Sequence, residues 1–117
     1  MRMFHYPDTG VDEQGKQPDG VMGQGEHQDA GLRTLILQDA VGGLEYKHFG
    51  RWYPVMPVPN SLVVNGGDWM HELHPELLSP VHRVLAQSTQ ERYSFVYLYQ
   101  MAWRTLENHE HDWLRDL

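Results

Sequence analysis

The sequence predicts an all-β domain, either a sandwich or a barrel of short strands. Short runs rich in β-branched and aromatic residues recur along the first 100 positions. Turns containing Gly and Pro separate these runs at intervals of roughly 8 to 12 residues, a spacing typical of sandwiches and barrels. The length of 117 residues allows one domain with a core of its own.

Six runs carry the clearest strand signals. We expect strands at residues 1–6, 32–38, 44–48, 61–65, 80–86 and 93–100. The last of them is aromatic and β-branched over most of its length, as strand positions favour. Pro54 restricts residues 52–55 to an edge strand or to irregular structure, because proline cannot donate a ladder hydrogen bond.

The remaining segments divide into one long loop and two helical stretches. Residues 7–25 are rich in Gly, Pro, Asp and Gln, which predicts a loop. Residues 69–78 favour a helix. In the tail, residues 101–117, apolar positions alternate with acidic ones, and we expect a short helix that is broken near Asn108.

Composition restricts the possible partners and locations. The formal net charge of −7 argues against nucleic acid and anionic membranes, which both require a basic surface. The chain has no cysteine and no apolar run near the roughly 18 residues of a membrane span. We therefore expect a soluble, cytoplasmic protein; the composition leaves its oligomeric state open.

Three residues have the side chains and spacing of a metal site. His27 and Asp29 are one residue apart, and on a strand they would share a face. His82 follows 55 residues after His27, on a different predicted strand. Two imidazoles and one carboxylate are the facial triad of non-haem Fe(II) oxygenases, which leaves positions open for substrate and O2. Taken alone, however, the triplet is also what chance produces in an acidic chain with eight histidines.

A second pair of residues suggests an anion site. Arg92 and Ser94 would share a face of the last strand. The guanidinium group can form a bidentate pair with a carboxylate, and the hydroxyl can donate a further hydrogen bond. The plain alternatives are a surface ion pair of Arg92 with Glu91 and a serine that only fills the strand.

Other chemical motifs are missing from the sequence. His71 and His74 are three residues apart and Pro75 follows, which excludes the His-Glu-x-x-His pattern of zinc peptidases. No phosphate-binding glycine loop and no Gly-x-Ser-x-Gly nucleophile motif occurs, so acyl and phosphoryl transfer have no support.

The chain resembles the isopenicillin N synthase-like superfamily of Fe(II)/2-oxoglutarate-dependent dioxygenases. The resemblance covers about residues 1–100 and rests on residues 25–31, 35–45, 50–55, 62–68, 82–84 and 91–94. It implies a double-stranded β-helix, or jelly roll, at 1–100, followed by the short helical tail at 101–117. It also implies a dioxygenase that hydroxylates or desaturates a small organic, secondary-metabolite-type substrate and releases succinate and CO2.

The resemblance assigns roles to six residues. It implies that Fe(II) is bound by His27, Asp29 and His82, and that Arg92 and Ser94 hold the distal carboxylate of 2-oxoglutarate. Tyr6 occupies the place of a family tyrosine that also contacts this co-substrate. O2 would take a remaining metal position.

The sequence also departs from the family pattern. Phe4 stands where the family often has asparagine, and the long helical region that precedes the family's barrel has no counterpart in these residues. We therefore expect an apolar face of the barrel to be uncovered. Three alternatives stay open: a truncated, non-catalytic fragment or metal-binding module of this fold, an oxidase in which Arg92 and Ser94 hold a substrate carboxylate, and a metal-binding cupin that does not use 2-oxoglutarate.

Overall fold

A computed structural model describes residues 1–8, 10, 22–86 and 90–100. These residues form eight strands and one short helix. The elements are β1 (Arg2–Tyr6), β2 (Met22–His27), β3 (Arg33–Gln38), β4 (Leu44–His48), β5 (Arg51–Pro54), β6 (Val63–Gly66), α1 (Asp68–Leu73), β7 (His82–Leu85) and β8 (Arg92–Tyr99).

The strands build two four-stranded sheets. The first sheet has the order β1-β8-β3-β6, and the second has the order β2-β7-β4-β5. All neighbouring strands are antiparallel. Strands that are adjacent in the sequence therefore mostly belong to different sheets, as in a jelly roll. The predicted all-β fold is confirmed.

Two elements differ from the sequence prediction, and the first of them, β2, was not among the six predicted strands. Strand β2 begins at Met22, inside the stretch predicted as a loop, because pairing with β7 compensates for the weak strand propensity of Gly23 and Gly25. The helix ends at Leu73 rather than at residue 78. His74 has φ −134° and ψ 84°, outside the helical region, which the following Pro75 disfavours.

The other predicted strands are confirmed within one or two residues, and residues 51–54 form an edge strand as Pro54 predicts. The predicted helical tail at 101–117 lies outside the described residues, so this part of the domain prediction stays a prediction. None of the helices in the described part of the chain is long and apolar enough to cross a membrane.

The space between the sheets contains as many polar as apolar side chains. The buried apolar residues are Tyr6, Ile36, Leu44 and Val84. The buried polar residues are Thr34, Asn65, His82, Arg92 and Ser94. Because buried polar groups cost free energy unless they find partners, this interior is organised around a site as well as around a core.

The outward side of the first sheet is apolar and exposed. We call it the outer face and define it by six residues that are cross-strand neighbours: Met3, Leu35, Leu37, Val64, Phe95 and Tyr97. Most of them are between 42% and 62% exposed. In the described part of the chain, the first sheet thus has an exposed apolar outer face. The expectation that this face is uncovered in the whole protein stays a prediction.

Candidate metal centre

Strand pairing brings the two histidines of the predicted site together. His27, the last residue of β2, lies directly opposite His82, the first residue of β7. Their ring centroids are 4.3 Å apart. Directly opposite residues project from the same face of a sheet, so both imidazoles point between the two sheets.

Asp29 completes the group. Its Oδ1 atom lies 3.5 Å from Nε2 of His27 and 3.7 Å from Nε2 of His82. One possible ligand atom from each residue falls within 4.8 Å of the others. The sequence argument was wrong in one respect: β2 ends at His27, so Asp29 reaches the site from the segment after the strand and not from the strand itself.

Hydrogen bonds fix the orientation of both imidazole rings. Nδ1 of His27 lies 2.8 Å from the carbonyl oxygen of Gly25, and Nδ1 of His82 lies 3.0 Å from that of Pro80. A carbonyl oxygen only accepts, so each Nδ1 must donate. The Nε2 atoms face Oδ1 of Asp29, and a neutral imidazole that carries its proton on Nδ1 has its Nε2 lone pair free for a metal ion. Second partners of this kind orient metal-binding histidines in general.

The carboxylate of Asp29 is held in a similar way. The buried hydroxyl of Thr34 donates to Oδ2 at 2.6 Å, which leaves Oδ1 facing the two histidines. The backbone is tied down as well, since the amide of Asp68 donates to the carbonyl oxygen of Asp29 at 2.8 Å.

Gly67 allows this close contact between two chain segments. Its amide donates to the carbonyl oxygen of Leu32 at 3.0 Å. A Cβ atom at position 67 would overlap the carbonyl oxygen of Gly31 and lie 2.9 Å from that of Asp29. Only glycine therefore fits beside the segment that carries Asp29.

The donor set fits a divalent first-row metal ion. Two neighbouring ligands on one octahedral ion, each at about 2.1 Å, are separated by about 3 Å. The observed distances of 3.5 and 3.7 Å need only small side-chain movements to reach that value. Two nitrogens and one carboxylate oxygen leave further positions free for other ligands.

Arg92 lies in the same cavity, on the opposite sheet. The residue is 3% exposed, and among the described residues its guanidinium group donates to two neutral oxygens, Ser94 Oγ at 3.4 Å and Gln38 Oε1 at 3.3 Å. Its Nε atom is buried without a hydrogen-bond partner. Burial lowers the pKa of Arg92, and nearby Tyr6 and Asp39 partly oppose this shift.

A buried cation without a carboxylate partner is costly. In the part of the chain that the structure describes, no acidic group lies within 4.0 Å of the Arg92 guanidinium. Arg92 and Ser94 thus form an anion site that a bound carboxylate would complete.

Tyr6 packs against this anion site. The Arg92 guanidinium carbon lies 4.9 Å from the centre of the Tyr6 ring, within the range of a cation–π contact. The ring also fills the space above Gly23, where a Cβ atom would lie 2.6 Å from it. The role of Tyr6 in contacting a co-substrate stays a prediction.

All six residues that the sequence singled out line one cavity between the sheets. His71 and His74 are not among them, and His71 instead contacts the carbonyl oxygen of Leu77 through Nδ1 at 2.7 Å. Sequence reasoning missed Thr34, Gln38 and Gly67. The sequence offered one signal for Thr34, which is a hydroxyl residue inside the apolar run 32–38 and lies five residues after Asp29.

The fold and this constellation define the class of protein. The family model of the 2OG-Fe(II) oxygenase superfamily matches residues 1–101. The chain belongs to this superfamily, which confirms the family predicted from the motifs. The superfamily is enzymatic, and its cofactor and co-substrates are Fe(II), 2-oxoglutarate and O2.

Individual relatives agree with this assignment. The chain is 41% identical over 102 residues to the 2-oxoglutarate-Fe(II) type oxidoreductase hxnY of Emericella nidulans, covering 85% of this chain and 28% of that protein. It is 37% identical over 98 residues to gibberellin 20 oxidase 2 of Oryza sativa, covering 83% of this chain and 24% of the relative. The chain thus spans about a quarter of these curated relatives.

Solved structures show the same fold. A full-length protein of Neurospora crassa in complex with alpha-KG superposes with a TM-score of 0.71 at 34% identity, over 84% of this chain and 32% of that one. The 2-oxoglutarate complex of AtDAO1, a dioxygenase for auxin oxidation from Arabidopsis thaliana, gives 0.68 at 30% identity, over 86% of this chain and 36% of that one.

Proposed function

We propose that this chain is the catalytic domain of an Fe(II)- and 2-oxoglutarate-dependent oxygenase that hydroxylates or desaturates a small organic molecule. One observation supports this most strongly. A preorganised group of two histidines and one aspartate shares a cavity with a buried arginine that has no carboxylate partner among the described residues.

The metal ligands in this proposal are His27, Asp29 and His82. When bound, the iron supplies oxidation by O2: for hydroxylation, 2-oxoglutarate, O2 and a substrate C–H group become succinate, CO2 and a C–OH group. The protein holds the ligand atoms in place through the Gly25 and Pro80 carbonyl groups, so little rearrangement is needed for the metal to bind.

Arg92 and Ser94 bind the distal carboxylate of 2-oxoglutarate in this proposal. The guanidinium group gives a charge-assisted pair, and the serine hydroxyl gives a further hydrogen bond. The Tyr6 ring on one side of Arg92 and Gln38 on another hold the guanidinium group in position. The co-substrate then spans the cavity between the anion site and the metal centre.

Anaerobic titration with Fe(II), followed by 2-oxoglutarate, tests the proposal. We expect one iron per chain and a visible Fe(II)–2-oxoglutarate charge-transfer band, and succinate release after O2 is admitted. Asp29→Ala should abolish iron binding. Asp68→Ala, which removes an exposed carboxylate nearby, is the matched control and should bind iron normally. Iron binding that is absent, or that survives Asp29→Ala, would contradict the proposal.

A second candidate is a metal-binding module of the same fold without turnover. The exposed outer face favours it, since an apolar sheet face of this kind is unusual in a self-sufficient domain. Iron and 2-oxoglutarate binding without succinate release would identify this case. Succinate-free oxidation of a carboxylate substrate would instead show that Arg92 and Ser94 hold that substrate. A cytoplasmic location stays a prediction from the sequence.

A further inference from the structure

A row of four aromatic side chains crosses the second sheet at right angles to its strands. His27 of β2 lies opposite His82 of β7, His82 lies opposite Tyr46 of β4, and Tyr46 lies opposite Tyr53 of β5. Directly opposite residues share a face of the sheet, so both tyrosines lie on the side of the metal ligands. Adjacent strands are about 4.8 Å apart, which places Tyr46 next to His82 and Tyr53 one strand further.

Tyr46 lies beside the candidate ligand His82 and further along β4 than the residue that is close to Arg92. Strand β4 begins beside the anion site, where a Cβ atom on Gly43 would lie 3.9 Å from Cδ of Arg92. Tyr46 follows three residues later, about 10 Å along the extended chain. Leu44, between them, lines the cavity. Tyr46 is therefore adjacent to the candidate metal centre and about three residues along β4 from the anion site.

The two tyrosine rings stack on each other and are still partly accessible. Their centroids are 5.5 Å apart and their planes differ by 24°. Each residue is 39% exposed, although both lie on the inward side of the sheet. Among the hydrogen bonds of the described residues, none involves either hydroxyl group. Ring surface and hydroxyl groups are thus available to a ligand beside the metal.

We propose that Tyr46 and Tyr53 determine substrate specificity by stacking against a planar aromatic or heteroaromatic ring of the substrate. This inference rests on the proposed function and adds a substrate class to it. A planar ring gains from offset stacking on such a pair, whereas a saturated ring of equal size gains only the area that it buries. The competing view is that the pair only stabilises the β4–β5 hairpin, as cross-strand aromatic pairs do.

Binding of two probes to the full chain loaded anaerobically with Fe(II) and 2-oxoglutarate distinguishes these views. The probes are 2-naphthol and decahydro-2-naphthol, which have the same carbon skeleton and hydroxyl group but differ in planarity. Binding is followed through the change in the visible charge-transfer band. We expect 2-naphthol to bind more tightly than the saturated probe, by roughly 3- to 10-fold for each ring that it contacts.

Variants assign that preference to the tyrosines. Tyr46→Ala and Tyr53→Ala should each reduce the preference for 2-naphthol by roughly 3- to 10-fold, and Tyr46→Phe should keep it because the ring remains. Tyr97→Ala removes a comparably exposed tyrosine from the outer face and should leave the preference for 2-naphthol unchanged. If Tyr46→Ala fails to fold, Tyr53→Ala at the sheet edge and the comparison of the two probes on the unmodified chain decide the question.

The possible failures are distinguishable. Absence of the charge-transfer band defeats the proposed function, and this inference with it. A normal band that 2-naphthol does not perturb, equal affinity for the two probes, or a preference that survives both alanine substitutions overturns this inference alone.

Discussion

Strand β8 has two faces of opposite character. Its inward residues include Arg92 and Ser94, which are 3% and 2% exposed. Its outward residues Tyr93, Phe95 and Tyr97 are each at least 40% exposed. An antiparallel strand with one solvated face normally places apolar residues inside and polar ones outside.

This inversion shows that the inward face of the first sheet is arranged to hold polar groups of the site, whereas the outward face is not. The inward face gives up apolar burial to hold a cation, a hydroxyl and the Thr34 group that orients Asp29. The outer face has no polar network of this kind among its six residues. Substitutions on the inner face should therefore change the affinity for Fe(II) or 2-oxoglutarate. Substitutions on the outer face should change only dye binding and self-association.

The largest expected effect comes from removing the buried charge. Arg92→Leu should weaken 2-oxoglutarate binding by about 100-fold or more, because a charge-assisted pair worth roughly 3 kcal/mol is lost. Fe(II) affinity should change little. Arg33→Ala, which removes a cation that lies over Tyr99 on the outward side, is the control. Titration of each iron-loaded variant with 2-oxoglutarate measures the affinity. An equal loss of affinity in Arg92→Leu and Arg33→Ala would contradict the contrast between the two faces.

A backbone substitution should weaken metal binding without touching a ligand. Gly67→Ala should lower Fe(II) affinity by about 10- to 100-fold, because the added methyl group displaces the segment that carries Asp29. Gly25→Ala has open space around its Cβ position and serves as the control. Anaerobic iron titration compares the two, and a Gly67→Ala protein with unchanged iron affinity would show that the segment is not constrained.

A smaller effect is expected from the serine of the anion site. Ser94→Ala should weaken 2-oxoglutarate binding by about 3- to 10-fold, which corresponds to one neutral hydrogen bond. Ser61→Ala removes an exposed hydroxyl that bonds only to the carbonyl oxygen of Val58 and should have no effect. A loss as large as that of Arg92→Leu would mean that Ser94 positions the guanidinium group rather than the ligand.

The outer face should give the smallest effect on the site. Phe95→Thr with Tyr97→Thr should reduce the binding of a hydrophobic fluorescent dye and any self-association of the chain. Fe(II) and 2-oxoglutarate affinities should stay within about twofold, since surface substitutions usually change stability by less than about 0.5 kcal/mol. A marked fall in iron affinity would show that the two faces are coupled.

Local sequence predicted most strands, and the resemblance to the family predicted the residues that converge on the candidate metal centre. His82 begins a strand whose pattern was clear, and Arg92 and Ser94 alternate with exposed aromatic residues. Strand β2, which ends at His27, was not among the predicted strands. The position of Asp29 after β2 was not readable, because strand ends depend on pairing with β7 rather than on local propensity.

The supporting contacts could not be predicted for a different reason. Thr34 reaches Asp29, and Gly67 fits beside Gly31, only because two segments come together in three dimensions. The alignment of Tyr46 with His82 depends on the register of β4 against β7. A slip of one residue would turn Tyr46 to the opposite face, and local sequence does not specify that register.

The position of the β4–β5 hairpin has a consequence for how this scaffold can diversify. Strand β5 is at the edge of its sheet, and the hairpin turns at the exposed residues Phe49 and Gly50. The two histidines of the candidate metal centre belong to β2 and β7, on the far side of β4. If Tyr46 and Tyr53 read the substrate, new selectivity can evolve, or be grafted, by exchanging one peripheral hairpin while the iron ligands keep their places.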